Sequence, residues 1–214
     1  MEKTLLKSFQ LLVILSLFFV VGCKKDKDII SIDPEGLWVE IKGIRWSTRN
    51  VGAPGIFVAN PEDKGMFYQW NRKVGWSTSE PLVNHAGGTT WDCSIPTGDS
   101  WEKANDPCPP GWRVPTHQEQ KSLCYSGNFY GELNGVSGRY FGSGEQTVFF
   151  PAAGCRNSDG SLNLSIFNDG IYWSGSPGYH PITNAYFMDF NSGSAVPLFD
   201  ISRASGLSVR CVSE

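Results

Sequence analysis

Histidine is scarce in this chain, and the common motifs of enzyme active sites are absent from its sequence. The three histidines, His85, His117 and His180, lie far apart and are typical of surface or loop positions. There is no Gly-x-Ser-x-Gly nucleophile motif, no glycine-rich phosphate loop and no His-Glu-x-x-His pair. The acidic residues show no spacing that singles out two of them for acid–base catalysis. We therefore expect no enzyme activity, no catalytic residue, no cofactor and no metal site.

Positive charge is also in short supply. The formal net charge is -3 at pH 7, and only 18% of the residues are charged. Proteins that bind nucleic acid need a basic face to neutralise phosphates, so we expect no nucleic-acid partner. Glycine, tryptophan and phenylalanine are plentiful instead, with 24, 8 and 13 residues. This composition favours a loop-rich extracellular domain over a helical bundle.

A targeting segment opens the chain. Lys3 and Lys7 precede an apolar run over residues 11–21, which is too short to span a bilayer comfortably. The run ends at Val-Val-Gly-Cys over residues 20–23, which fits the cleavage box of a bacterial lipoprotein signal. The alternative is an ordinary membrane anchor.

The domain boundaries follow from this interpretation. We expect residues 1–22 to be a signal peptide, Cys23 to be the lipidated first residue of the mature protein, and residues 23–37 to be a tether. One domain follows over residues 38–214, which is enough chain for a proper core. The charged residues after the cysteine resemble the tether of surface lipoproteins in the Bacteroides group. The expected location is therefore the cell outer membrane, with a lipid anchor and the domain facing outside.

Five cysteines remain in the predicted domain. An exported protein meets oxidising conditions, so disulfides are favoured over metal ligation. Cys108 and Cys211 are the expected pair. A bridge between Cys124 and Cys155 is a weaker second expectation, and it leaves Cys93 free.

One stretch organises the predicted fold. Residues 108–116 combine a cysteine, a Pro-Pro-Gly turn, a tryptophan and a helix start. Thr116 and Glu119 match the capping box of a helix N-terminus, so a helix is predicted over residues 116–125. A second, brief helix is predicted over residues 99–104.

Apolar and aromatic runs predict the strands. They cover residues 38–46, 148–154, 170–174, 185–190 and 207–212. The glycine-rich residues 127–144 are predicted to be a crossing loop, and residues 71–98 a long ordered loop. A small twisted antiparallel sheet with two short helices and long ordered loops gives an α+β fold class.

Five motifs occur in a fixed order along the chain. They are GIRWSTRNVG at residues 43–52, CPPGWRVPT at 108–116, PAAG at 151–154, YWS at 172–174 and SVRC at 208–211. Together they resemble the Fibrobacter succinogenes major paralogous domain family, over residues 39–212. That family looks like a variant of the C-type lectin fold. The resemblance implies a C-type lectin-like fold in which residues 174–205 carry the ligand-facing surface, and it does not by itself assign a function.

Calcium binding is a separate question that the resemblance raises. Many C-type lectins hold calcium through a Glu-Pro-Asn or Gln-Pro-Asp loop and a later Trp-Asn-Asp, and residues 174–205 contain neither motif. Asp189, Asn191 and Asp200 carry oxygen ligands of the type calcium prefers. We favour the interpretation that they are solvated polar residues.

The last third of the chain lacks three residue types altogether. Residues 147–213 contain no lysine, glutamate or glutamine. Residues 178–184 and 195–202 hold only residue types whose codons arise from the asparagine codon AAC when its adenines are replaced. That pattern is typical of a diversity-generating retroelement, and C-type lectin-like proteins are its known targets. The alternative is a loop-rich surface that lacks those types by chance.

Diversification makes a structural prediction. Variable side chains should be exposed and clustered, whereas Trp173 and Met188 should stay fixed as scaffold. Burial of Leu198 or Phe199 in the core would count against the hypothesis.

The function we expect is non-covalent binding of an extracellular protein or glycan by a surface lipoprotein. The residues expected to contact the ligand are Tyr179, His180, Ile182, Asn184, Tyr186, Leu198, Phe199, Asp200 and Ile201. Tyrosine and histidine give large contact area at low entropic cost, as in antibody paratopes. The alternative, from another class, is a structural or adhesion component of the cell surface without a small-molecule site.

Overall fold

The structure is a computed structural model, and it describes residues 35–166 and 168–214. The predicted signal peptide and the lipidation residue Cys23 lie outside the described residues. Within the described part, no helix is long and apolar enough to cross a bilayer.

The described residues form thirteen strands and one α-helix. Helix α1 spans His117–Cys124. The strands in chain order are β1 (Trp38–Ile41), β2 (Ile44–Asn50), β3 (Phe67–Gln69), β4 (Gly75–Trp76), β5 (Trp112–Arg113), β6 (Asn128–Leu133), β7 (Val136–Ser143), β8 (Gln146–Pro151), β9 (Gly170–Pro177), β10 (Asn184–Phe190), β11 (Ala195–Ser202), β12 (Gly206–Ser208) and β13 (Arg210–Ser213).

These strands form three sheets. The largest has the order β11-β10-β9-β12-β3-β4, a second has the order β1-β2-β13-β5, and the third is the β6-β7-β8 meander. Pairing is antiparallel except between β9 and β12, which run parallel. The predicted central strand at residues 170–174 is confirmed, because β9 lies between β10 and β12.

The predicted α+β class with two short helices is wrong. The described residues are mostly β, with 41% in strands and 8% in helices, and α1 is the only α-helix among them. The helix predicted over residues 99–104 is reduced to a 3-10 turn at Lys103–Asn105. The side chain of Asn71 accepts a hydrogen bond from the Glu102 amide at 2.8 Å, and the Trp101 amide donates to the Gly175 carbonyl. Both amides lie in the first turn of the predicted helix, where no helical carbonyl accepts from them, so these tertiary partners take the place of a local helix cap.

The glycine-rich residues 127–144 form the β6–β7 hairpin and are not a loop. Gly131 and Gly138 face each other across the two strands. A Cβ atom at Gly131 would lie 3.4 Å from the Tyr140 ring, and one at Gly138 would lie 2.5 Å from the Phe149 ring. Gly138 therefore makes room for the Phe149 ring, whereas a side chain at Gly131 would make an ordinary van der Waals contact.

Two apolar cores lie on opposite faces of the six-stranded sheet. Trp173 belongs to the core that contains Trp70, while its neighbour Tyr172 belongs to the core that contains Leu123 of α1. Successive strand residues point to opposite faces, so β9 supplies both cores. The helix starts with the predicted capping box, in which Thr116 and the Glu119 side chain each bond the other's backbone amide.

The disulfide between Cys108 and Cys211 is present, as predicted, and it connects positions 103 residues apart. The second predicted bridge is wrong. Cys124 and Cys155 are free thiols buried in the two different cores, so the central sheet separates them. Cys93 is free and exposed.

Buried arginines hold the long loops in place. Arg156 is fully buried and donates to the carbonyls of Ser77, Ser79 and Gly160. Arg210 is equally buried and donates to the Phe149 carbonyl. A guanidinium has five N–H donors in a fixed plane. One arginine side chain can therefore satisfy several carbonyl oxygens that accept no hydrogen bond within a sheet.

Candidate ligand-binding surface

The predicted ligand-binding residues all lie at one end of the β9–β10–β11 ribbon. The loop over residues 178–183, here called the β9–β10 loop, carries Tyr179, His180 and Ile182, while Asn184 and Tyr186 are in β10, and Leu198, Phe199, Asp200 and Ile201 are in β11. The antiparallel register pairs Tyr186 with Asp200 and Phe187 with Phe199. The fold therefore brings two stretches about twenty residues apart into one region.

Exposure is greatest at the loop and at one position of β11. Ile182 is 82% exposed, Tyr179 is 72% exposed and Phe199 is 51% exposed. The two predicted scaffold residues, Trp173 and Met188, are completely buried. Exposed ligand-binding residues and buried scaffold residues are what the diversification hypothesis expects, since it places variable side chains at the surface and constant ones in the core.

The predicted residues fall on two faces of the ribbon. Paired residues share a face, and adjacent residues point to opposite faces. Tyr186 and Asp200 therefore lie on one face, and Phe199 lies on the other with Phe187, at a ring-centroid distance of 6.2 Å. Ile201 packs against the core that contains Trp173 and is half-buried. The side chain of Leu198 is outside the described part, so its burial is not tested.

The β9–β10 loop is fixed by the Asp200 carboxylate. Its Oδ2 atom accepts hydrogen bonds from the amides of Tyr179 at 2.9 Å and His180 at 3.4 Å. A Cβ atom at Gly178 would lie 2.5 Å from that oxygen, so the close approach requires glycine. Charge-assisted bonds to backbone amides are the stronger kind, and they hold the exposed Tyr179 on a defined backbone.

Arg203 supports the same loop from beneath. It is 1% exposed, and its guanidinium donates to the carbonyls of Pro181 and Asn184. It also donates to the Pro96 and Gly98 carbonyls, at 3.2 and 2.9 Å. One buried cation thus joins the β9–β10 loop to the loop at residues 96–98.

Three rings form a small cluster on the Tyr186 face. The His117 ring stacks on Tyr186 with centroids 4.1 Å apart, and the Tyr179 ring meets Tyr186 edge to face at 5.4 Å. Partial burial and the nearby Tyr179 and Asp200 raise the pKa of Tyr186 above its usual value. Burial, with a smaller contribution from Lys121, lowers the pKa of His117 below its usual value.

The oxygens considered for calcium do not converge. Asp200 is occupied by the loop amides, and Asn191 accepts from the amides of Gly193 and Ser194 in its own turn. Burial and the neighbouring Asp169 raise the pKa of Asp189 to about 6. Among residues 35–166 and 168–214, no group of three His, Cys, Asp or Glu side chains is placed to hold a metal ion.

Two residues that contribute to this surface were not predicted from the sequence. His117 was expected to be an unspecific surface residue, and its contact with Tyr186 joins positions 69 residues apart in the chain. Arg203 carried no motif. The capping box does place His117 as the first residue of α1, but no local signal shows which strand that helix end meets.

Comparison with the models of known protein families, with curated proteins and with solved structures finds no match.

Proposed function

We propose that the protein is a surface lipoprotein whose domain binds an extracellular protein non-covalently. The contact surface is the β9–β10 loop with the adjoining parts of β10 and β11. The observation that carries this proposal is the exposure of Tyr179, Ile182 and Phe199 on backbone that Asp200 and Arg203 hold in place. These side chains lie at one end of the ribbon, with Phe199 on the face opposite the contact between Tyr179 and Tyr186, so a partner that covers them must wrap around that end.

The side chains favour a protein partner over a glycan. Ile182 is the most exposed large apolar residue described, and a branched aliphatic side chain has no flat face for a sugar ring. Tyrosine is enriched in protein interfaces, where its ring buries area and its hydroxyl bonds at the rim. A fixed backbone also reduces the entropy lost on binding.

We also propose that a retroelement diversifies the gene segment for residues 147–213. Support comes from the codon pattern together with the exposure of Tyr179 and Phe199 and the burial of Trp173 and Met188. Pro197, in the second run, is buried and fits the proposal less well. Sequencing the 3′ end of the gene and the next few kilobases tests it. A reverse transcriptase gene with an imperfect repeat that differs only at template adenines is expected, and its absence would remove diversification while leaving binding in place.

A structural role in cell-surface assembly is the second candidate. The observation that favours it is the edge strand β6, where Phe129 is 54% exposed and stacks on Tyr140. An unpaired strand edge with an apolar side chain is a template for pairing with another copy.

One experiment separates these roles. The full chain in detergent micelles is applied to an array of purified extracellular proteins and glycans. The double variant Tyr179→Ala/Phe199→Ala is expected to lose at least tenfold in affinity for any protein bound, with unchanged thermal stability, because both side chains are exposed. The matched control is Tyr125→Ala/Phe129→Ala, which removes two aromatic residues that are also exposed, at 68% and 54%.

The outcomes point in different directions. Binding that both double variants retain equally would overturn the proposed surface. Loss only in the control, together with a change in the oligomeric state, would favour the structural role. Binding confined to glycans would reassign the partner class while keeping the surface.

A further inference from the structure

A second concave site lies beside the disulfide, apart from the residues of the candidate surface. Its volume is about 360 Å³, and its walls include the Cys108–Trp112 turn. A cavity of this size suits a small molecule, since ligand pockets in proteins start at roughly 300 Å³.

The walls of this cavity are held in place from several sides. The disulfide to Cys211 fixes Cys108, and the Glu214 amide donates to the Gly111 carbonyl at 3.0 Å. The Gly55 amide donates to the Pro107 carbonyl at 2.8 Å. Two consecutive prolines restrict the backbone of the turn further. The site is therefore pre-formed, and a ligand would not have to order it.

The inner wall is apolar. Cys108 is 8% exposed, and the half-buried Trp112 ring is supported by an edge-to-face contact with Phe57 at 5.4 Å. The Pro109 and Pro110 rings line the same cavity. A Cβ atom at Gly111 would meet nothing within 4 Å, so the space above that residue is open. These groups form a flat apolar wall that suits a ring.

Two lysines and two carboxylates surround the cavity, and the positive charge left without an ion pair in the described part of the chain is on an exposed lysine. Lys73 and Lys103 both line it and are exposed. Lys103 forms an ion pair with Glu214, while Lys73 forms no ion pair within the described residues. The third charged group, Asp106, is buried, and its two carboxylate oxygens accept from the amides of Cys108 and Val114.

The carboxylate of Asp106 is thus committed to the backbone. It shapes the turn, and its oxygens are not free to bind a ligand directly. Lys73 keeps free donors, and Lys103 is paired only at the surface, where an ion pair is weak.

We propose that this cavity binds a small organic anion in which a carboxylate is carried on a ring with an apolar face. The ring lies against Trp112 and the prolines, and the carboxylate meets Lys73 and Lys103. This site does not depend on the proposed ligand surface, because the two share no residue.

Two sources supply such a ligand. Aromatic acids and the uronic acids of polysaccharides both combine a carboxylate with a ring that has an apolar face, which is planar in the aromatic acids and the C–H face of a pyranose in the uronic acids. Benzoate and glucuronate are the probes that distinguish them. Benzyl alcohol, which keeps the ring without the charge, and acetate, which keeps the charge without the ring, are the matched controls.

The readout is the set of tryptophan indole resonances in a ¹H–¹⁵N spectrum of the full chain in detergent micelles. The chain has eight tryptophans, so the Trp112 signal is assigned with Trp112→Phe. We expect benzoate or glucuronate to shift the Trp112 indole and the Gly55 and Gly111 amides at lower concentration than either control compound.

The lysines test the charged contribution. Lys73→Met and Lys103→Met should each weaken probe binding by about two- to fivefold, the range of an exposed ion pair. The combined variant should bind benzoate no better than benzyl alcohol. Lys42→Met in the β1–β2 turn is the control and should leave binding unchanged.

Three results would overturn the proposal. One is equal binding of benzoate and benzyl alcohol by the native chain. Another is a combined lysine variant that binds like the native chain. The third is the lack of any shift of the Trp112 indole with benzoate or glucuronate at about 50 mM. A dissociation constant above that concentration is weaker than a specific pocket would give. If Trp112→Phe fails to fold, the lysine variants and the amide shifts of Gly55 and Gly111 still test the proposal.

Discussion

The guanidinium of Arg203 lies 3.9 Å from the centroid of the Trp70 ring. Both residues are almost fully buried, and the cation also donates to loop carbonyls at residues 96–98 and 181–184. Arg203 is therefore the point where the core meets the candidate binding surface. A desolvated cation over an indole face contributes more than an exposed one.

Arg203→Met should destabilise the fold by about 2–4 kcal/mol, because several buried carbonyls lose their donor together. Chemical denaturation measures the change. The matched control is Arg45→Met, since Arg45 lies 4.5 Å over Trp38 at an exposed position. The control should change stability by about 0.5 kcal/mol or less. Equal effects of the two variants would show that the buried bonds contribute nothing.

Gly178→Ala should displace the Asp200 carboxylate and destabilise the protein by about 1–3 kcal/mol, because its new Cβ would lie 2.5 Å from the Oδ2 atom. Amide hydrogen exchange at Tyr179 and His180 should speed up, since both amides donate to that oxygen. Gly193→Ala is the control, where the nearest atom is 3.4 Å away. Unchanged exchange in Gly178→Ala would mean that Asp200 does not hold the loop.

Replacing both Cys108 and Cys211 by alanine should lower stability by about 4–5 kcal/mol, because the bridge restricts a loop of roughly 100 residues in the unfolded chain. Denaturation under non-reducing conditions measures the loss. Cys93→Ser removes an exposed free thiol and should have little effect. A double variant as stable as the native chain would show that the bridge does not form in the protein.

Asp189 should make stability depend on pH. Burial and Asp169 raise its pKa to about 6, so the folded state holds a proton that the unfolded state releases near pH 4. The native chain should therefore lose stability as the pH rises from about 4 to 6, and the loss should then level off. Asp189→Asn should be more stable than the native chain at pH 7.5 by about 1 kcal/mol, with allowance for partial exposure.

The same two proteins should be equally stable near about pH 3, below the unfolded-state pKa of aspartate, where the carboxyl is protonated in both states. Urea denaturation at a series of pH values makes the comparison. If the difference in stability between the two proteins stays constant from about pH 4 to about pH 8, the asparagine side chain itself, and not the proton on Asp189, is responsible for it. Glu145→Gln, at the exposed turn between β7 and β8, serves as the control for charge alone.

Local chemistry made several features predictable from the sequence. The capping box at Thr116 and Glu119 requires only residues three apart, so the start of α1 was predicted correctly. The Cys108–Cys211 pair and the strand at residues 170–174 were also predicted, because a rigid turn and an unbroken apolar run are strong signals. The exposure of Tyr179 agrees with the surface role assigned to it, although its ligand is untested.

The features that only the tertiary structure decided depend on contacts between residues that are distant in the sequence. Gly138 lies in a strand where the Phe149 ring leaves no room for a side chain, and the Glu102 amide, a free donor at the start of the predicted helix, donates to Asn71 instead of to a local cap. These partners decide between loop and strand, or helix and turn, where local preferences differ by about 1 kcal/mol or less. The sequence by itself determined the helix start, the bridge and the central strand. The folded chain decided the three sheets, the division of the predicted surface between two faces, and the contact of His117 with Tyr186, because each depends on which segments pair across the core.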